Sequence, residues 1–223
     1  MTCDRIFYVK AVTLILLGAT YCAAQAPAED HLCTLNAAGG FAGAFGKDGS
    51  NFNTGGISFQ AGGGFAVTPP VEPHKGVVLF LTANFAYDRL QATPNALLTA
   101  QNADPAQLAN AKSAHGTFSA VTFDPAVRYP LSPRWSLYLS GGFGWFRRGV
   151  SFNGDNSAAL LAPGSASLDK AATNSGALDA GGGVNFGLTR RGGVMLYAEA
   201  RVYRGLAVNS GTTLVPVSFG VRW

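Results

Sequence analysis

The strongest constraint in this sequence is an alternation of apolar and other residues with a period of two. It is clearest in the segment Thr212 to Trp223, where the odd positions from Val215 onward are apolar and the even positions are Pro, Ser, Gly and Arg. A period of two puts successive side chains on opposite faces of a β-strand, whereas a helix repeats roughly every 3.6 residues. The chain is therefore predicted to fold from strands that are apolar on one face.

The alternation recurs along the chain and predicts eight strands: Thr34 to Phe45, Gly55 to Thr68, Lys75 to Arg89, His115 to Tyr129, Arg134 to Phe152, Ser175 to Thr189, Gly193 to Arg204, and Thr212 to Trp223. The connections alternate between long and short, and the longest are Leu90 to Ala114 and Asn153 to Asn174. An antiparallel meander with short turns at one end and longer loops at the other is typical of an even-stranded outer-membrane barrel.

Composition indicates which face points outward. Only 13% of the residues are charged, against roughly 25% in soluble domains. A soluble barrel needs many charged exterior residues, whereas a barrel in lipid has an apolar belt outside and polar contents inside. The barrel must also close, because an open sheet edge in hydrocarbon leaves backbone groups unpaired. The predicted fold is all-β, an eight-stranded antiparallel up-and-down transmembrane β-barrel.

The first 24 residues are predicted to be a secretory signal peptide, followed by a barrel domain over residues 25–223. Arg5 and Lys10 precede a short apolar run, Ala11 to Gly18, and small residues follow up to Ala24. Cleavage there leaves Cys33 as a lone thiol, which excludes an internal disulfide. Cleavage also leaves 14 basic and 11 acidic residues, and a net charge of +3 is too small to argue for a nucleic-acid partner.

The C-terminal ending carries a resemblance to a known family. Apolar residues at every second position, Val217, Phe219 and Val221, lead to a terminal Trp223, and this resembles the assembly signal of the small eight-stranded bacterial outer-membrane barrels of the OmpA, OmpX and OmpW type. The resemblance implies a monomer in the bacterial outer membrane, in contact with its lipid. It also implies periplasmic chaperones and the barrel assembly machinery as folding partners. Pro216 departs from a regular strand and is expected at a strand end or bulge.

Aromatic residues near the strand ends are predicted to form two interfacial girdles. The candidates are Tyr87, Tyr129, Trp135, Trp145 and Tyr203. Position parity assigns the opposite faces to the lumen, where a polar network is predicted from Asn84, Asp88, Asp124, Arg128, Asp179, Asn185, Glu199, Arg201 and Arg222. Because unpaired buried charges are costly, these residues are expected to form a satisfied plug.

The sequence favours a structural or surface-interaction role, in adhesion or envelope integrity, with no catalytic, cofactor or metal site. The segment Pro94 to Lys112 within the first long loop could form an amphipathic helix over the barrel mouth. A narrow channel or transporter for small or hydrophobic solutes stays open as an alternative. Some barrels of this size hydrolyse lipid A with an outward-facing His and Ser; here His115 and Thr117 resemble that arrangement most, but the Ser is absent.

Overall fold

The computed structural model describes residues 33–46, 49–68, 76–103, 111–154, 172–188, 193–207 and 212–223. They form a closed barrel in which each strand pairs antiparallel with its chain neighbours and β8 pairs with β1. The predicted eight-stranded up-and-down barrel is thus confirmed. Its strands are β1 (Cys33–Phe45), β2 (Gly56–Ala66), β3 (Val78–Gln91), β4 (Ala111–Pro130), β5 (Trp135–Gly154), β6 (Ala172–Gly187), β7 (Met195–Gly205) and β8 (Thr213–Arg222).

The two ends of the barrel differ. One end is here called the short-turn end. The connections β2–β3, β4–β5 and β6–β7 lie there, together with the start of β1 and the end of β8. There the backbone N–H of Leu35 donates to the carbonyl of Trp223 (2.7 Å), and the N–H of Trp223 donates to the carbonyl of Leu35 (2.9 Å). The opposite end, the loop end, carries the two longest connections, β3–β4 and β5–β6. The predicted signal peptide lies outside the described residues.

One helix, α1 (Pro94–Ala103), lies in the β3–β4 loop. The hydroxyl of Thr93 caps it by accepting from the N–H of Ala96 (3.3 Å). The predicted helix is therefore present but ends at Ala103, before Pro105. Within the described ranges, no helix is both long and apolar enough to span a bilayer.

The exterior is apolar and the acidic residues are inside. Leu139, Phe143 and Phe219 are 71%, 67% and 58% exposed on the outer surface. All the Asp and Glu side chains of the described residues are buried in the lumen, namely Asp88, Asp124, Asp179 and Glu199. An outer surface of exposed Leu and Phe without carboxylates is favourable in contact with lipid acyl chains and unfavourable in contact with water.

Four of the five predicted girdle residues point outward, and one prediction is wrong. Tyr129 and Trp135 are exposed near the short-turn end, and Tyr87 and Trp145 face outward on the other half of their strands. Tyr203 is instead 1% exposed and lies inside the barrel. The reason is parity, because Tyr203 shares the inward face of β7 with Glu199 and Arg201, and one strand face cannot serve both the lumen and the lipid.

Close strand approach explains part of the glycine content. A Cβ on Gly144 would lie 1.9 Å from the carbonyl oxygen of Val121, and one on Gly40 would lie 2.0 Å from that of Val217. Only glycine fits where the wall curves this tightly. Pro216 is the fourth residue of β8, and the β7–β8 ladder lacks pairs at Val215 and Pro216 but resumes without a register shift, so the expected bulge is absent.

Candidate functional site

The centre of the lumen is organised around the guanidinium of Arg201, which is 4% exposed. Its Nη1 lies 2.6 Å from Oδ2 of Asp124 and 2.7 Å from Oδ2 of Asp179, and its Nε lies 2.5 Å from Oε1 of Glu199. Nη2 donates to the hydroxyl of Ser140 (3.1 Å). Because the planar fork presents several donors at once, one arginine joins β4, β5, β6 and β7 inside the barrel.

Neutral donors add to this cluster. Asp124 Oδ2 also accepts from Asn84 Nδ2 (2.7 Å) and from Thr122 Oγ1 (3.2 Å). The hydroxyl of Tyr138 donates to Oε2 of Glu199. These bonds hold the carboxylates around the guanidinium, but Oδ1 of Asp124 and Oδ1 of Asp179 have no hydrogen-bond partner among the described residues, so the predicted network is only partly satisfied. We call Arg201, its three carboxylates and these donors the Arg201 cluster.

A second group of cations lies toward the short-turn end. Arg222 Nη1 donates to Oδ1 of Asn185 (3.0 Å), and its guanidinium carbon lies 4.4 Å and 4.7 Å from the ring centroids of Tyr138 and Tyr197. Arg128 sits 5.0 Å from the ring centroid of Phe80. These two arginines are stabilised by aromatic faces and an amide instead of by carboxylates.

Apolar side chains fill the lumen toward the loop end. They come from every strand except β2, from the β1–β2 loop and from α1, and we call them the apolar plug: Ala42, Ala44, Phe52, Ala86, Leu90, Ala92, Ala96, Ala114, Phe118, Ala120, Phe146, Val150, Ala177, Tyr203 and Leu214. The rings of Phe52 and Phe118 meet edge to face at 5.4 Å, and Leu97 of α1 packs against the plug. This layer excludes water from the half of the lumen nearest the loop end, which we call the outer half.

The side chains of all nine residues predicted for the lumen network lie inside the barrel, but in separate groups. The structure brings Asn84, Asp124, Asp179, Glu199 and Arg201 into one cluster, and pairs Asn185 with Arg222. Arg128 stands apart beside Phe80. Asp88 is buried near the apolar plug, and its Oδ1 has no hydrogen-bond partner in the described part of the chain.

Sequence reasoning missed several interior residues. Tyr138, Ser140 and Arg148 share the inward face of β5, and Tyr197 shares that of β7. Arg148 is 6% exposed, with its guanidinium carbon 5.7 Å from the centroid of Phe52. Position parity could have identified these four residues as inward-facing, because each shares the odd or even numbering of the other inward-facing residues on its strand.

The residues predicted as an assembly signal form the outer face of β8. Val217, Phe219 and Trp223 are exposed and Val221 is half-buried beside them. Their side chains are therefore free of the lumen network and accessible from the membrane. Their role in assembly stays a prediction.

The resemblance to a hydrolytic site rests on β4. His115 and Thr117 face outward and are half-buried, and the hydroxyl of Thr117 donates to the carbonyl of Gly149 (3.5 Å). The register sets His115 opposite Gln91 on one side and Ser151 on the other. Among the described residues, no carboxylate contacts His115.

The chain is similar to several solved structures. Neisserial surface protein A is 18% identical, with 85% of this chain and 95% of that chain covered and a TM-score of 0.53. Ail, the attachment invasion locus protein of Yersinia pestis, is 12% identical over 86% and 97% of the two chains (TM-score 0.47), and the outer membrane enzyme PagL is 12% identical over 85% and 97% (TM-score 0.38). No protein-family model and no curated protein matches the chain.

The match to Neisserial surface protein A shows the fold of the chain, and the polarity of the exterior indicates the environment of the barrel. A closed eight-stranded barrel in this fold, with exposed Leu, Phe and Trp outside and every described carboxylate inside, has the polarity that lipid demands. The chain is a small eight-stranded β-barrel of the bacterial outer membrane.

Proposed function

We propose that this protein is a non-conducting barrel that anchors its loops at the bacterial surface and serves adhesion or envelope integrity without catalysing a reaction. The observation that carries the proposal is the filling of the lumen in two layers. The Arg201 cluster crosses the axis in the middle, and the apolar plug fills the outer half. Ions would have to displace both layers to pass.

The apolar plug supports the proposal most directly. Leu90, Phe118 and Leu214 are fully buried in it, with 0% exposure. A hydrated ion that enters such a layer loses its water shell among mostly apolar side chains, with Asp88 and Arg148 as its charged neighbours, and this loss costs many kcal/mol. A structural role therefore explains the interior better than a channel does.

The loop end supports a surface role. Helix α1 is attached to the barrel through Ala96, which is buried, and Leu97, which packs against the apolar plug, while Leu98 is 55% exposed. Loops held on a rigid barrel are where recognition residues usually reside. We infer that partners approach at this end.

The proposal includes the partners expected from the sequence. The barrel folds as a monomer in contact with outer-membrane lipid, after delivery by periplasmic chaperones to the barrel assembly machinery. Outward-facing Val217, Phe219 and Trp223 support recognition of β8 by that machinery, because they stay accessible while the strand pairs. Replacing Phe219 and Trp223 with Ser should lower the yield of folded barrel in membranes.

Conductance in planar lipid bilayers tests the proposal. Purified protein, folded as judged by heat-modifiable gel mobility, should give no stepwise current where a general porin does. Reproducible ion steps would contradict the proposal and favour a narrow channel. Uptake of hydrophobic solutes without current would favour a transporter.

A second experiment separates the surface role from a hydrolase. In cells that lack the protein, a variant with residues 94–103 replaced by a Gly-Ser linker should fold but fail to restore adhesion or detergent resistance. His115→Ala should restore both fully and leave lipid A unchanged by mass spectrometry. A lipid A product that depends on His115 would contradict the proposal.

A further inference from the structure

A small cavity lies in the lumen on the short-turn side of the Arg201 cluster. Its volume is about 40 Å³, and since one water needs about 10–15 Å³ of such space, it holds roughly three waters or one small ion. Its wall includes Arg128, Arg201, Arg222, Asn36 and Tyr138. The cavity lies close to the rim, because Arg222 is the last residue of β8 and pairs with Asn36 near the start of β1.

The charge on this wall is unbalanced. Arg201 is paired with three carboxylates, but none of these carboxylates lines the cavity. Arg128 and Arg222 contact rings and an amide. Within the described residues, neither forms an ion pair. Within the part of the chain that the structure describes, two positive charges therefore face one confined space without a protein counterion.

Asn36 contributes to the same wall, but its side-chain oxygen is closed off from the cavity. Oδ1 of Asn36 is inaccessible to solvent and lies 2.8 Å from where a Cβ on Gly62 would stand. The two guanidinium groups are therefore the charged groups that a ligand would meet. A small molecule that offers negative oxygens to both arginines would complete the wall.

We propose that this cavity is a binding site for a small oxyanion of the phosphate class that enters from the short-turn end, which faces the periplasm in outer-membrane barrels. Guanidinium groups recognise phosphate oxygens through paired N–H donors. The small volume admits a free phosphate or the terminal phosphate of a larger molecule. This site goes beyond the anchoring function and does not depend on it.

Titration of the full barrel with inorganic phosphate, in a non-ionic detergent without phosphate groups, tests the proposal by calorimetry. Binding should be saturable with one site per barrel. Arg128→Gln and Arg222→Gln should each weaken it about tenfold or more, because each removes a charged hydrogen bond. Arg134→Gln is the matched control, since it removes the same charge from an exposed turn at the same end.

The outcomes separate specific binding from general attraction. Absence of saturable binding to wild-type protein, or equal weakening by Arg134→Gln, would overturn the proposal. Arg128→Lys and Arg222→Lys keep the positive charge and therefore control for misfolding. Both should still weaken phosphate binding, because lysine lacks the paired N–H donors of a guanidinium group. Glucose 6-phosphate distinguishes the sources: binding of both probes identifies a terminal phosphate, and binding of inorganic phosphate alone identifies the free ion.

Discussion

The middle and the outer half of the lumen are filled by opposite chemistry. In the middle, Arg201 holds three carboxylates at 2.5–2.7 Å. In the outer half, Phe52, Phe118 and Leu214 pack with 0–1% exposure. The same barrel wall encloses both, so the difference lies in the side chains alone.

The contrast shows that different side chains close the lumen and fix its internal geometry. The apolar plug closes the lumen, and the Arg201 cluster fixes the relative positions of the strands. Apolar packing is non-directional and tolerates small changes of shape. The Arg201 cluster is directional, and each member needs the others, because an ion left alone in the lumen has no substitute for water. We therefore expect the two regions to respond differently to mutation.

The largest effect is expected from Arg201→Met, which leaves three buried carboxylates without their counterion. The free energy of unfolding should fall by about 3–5 kcal/mol, the usual result of breaking a buried ion pair. Urea unfolding in lipid vesicles, followed by heat-modifiable mobility, measures it. Arg204→Met serves as the control, since Arg204 lies on the outside and, among the described residues, its one side-chain bond is an exposed contact with Thr213. A loss as large as that of Arg201→Met would contradict the account.

Leu214→Ala tests the apolar plug. Leu214 is completely buried, so truncation should cost about 3 kcal/mol from lost burial and a residual cavity. The loss should be the same at low and high salt, because no charge is involved. In the same unfolding assay, Leu98→Ala should change stability by less than about 0.5 kcal/mol, since Leu98 is an exposed surface residue. Equal effects of the two truncations would mean that the outer half is not packed as described.

Removing one hydroxyl from each of two buried tyrosines is the smallest change that compares the Arg201 cluster with the apolar plug. Tyr138→Phe removes the donor to Glu199 and should cost about 1–3 kcal/mol, because a buried carboxylate oxygen loses its partner. Tyr203→Phe removes a hydroxyl that has no hydrogen-bond partner within the described residues and should leave stability equal or slightly higher. A larger loss of stability for Tyr203→Phe than for Tyr138→Phe in urea unfolding would contradict the placement of Tyr138 in the Arg201 cluster and of Tyr203 in the apolar plug.

The fold was predictable because its signal is local. The alternation in β8 is visible in a single segment, and low charge indicates which face meets lipid. Closure then follows from backbone hydrogen bonding in hydrocarbon. Strand ends were less predictable, since β4 and β5 extend beyond the alternating part into the loop end.

The site was predictable only as a set of inward residues. Parity assigns Arg201 and Asp124 to the lumen, but their contact joins positions 77 residues apart and depends on the tilt of all the strands. Tyr203 was misassigned because its nearness to a strand end outweighed its parity. The apolar plug was not predicted, because Phe52 lies in a loop whose course no periodicity reveals.

The central claim is the reversed polarity of the wall, and two consecutive residues test it most directly. Leu139 is 71% exposed to the outside, while the next residue, Ser140, lines the cavity. Spin labels at Leu139→Cys and Ser140→Cys, in a Cys33→Ala background, report collisions with oxygen dissolved in lipid. The account predicts frequent oxygen collisions at position 139 and few at position 140. Frequent collisions at 140 with few at 139, or ready contact of the 139 label with a water-soluble nickel chelate, would contradict it.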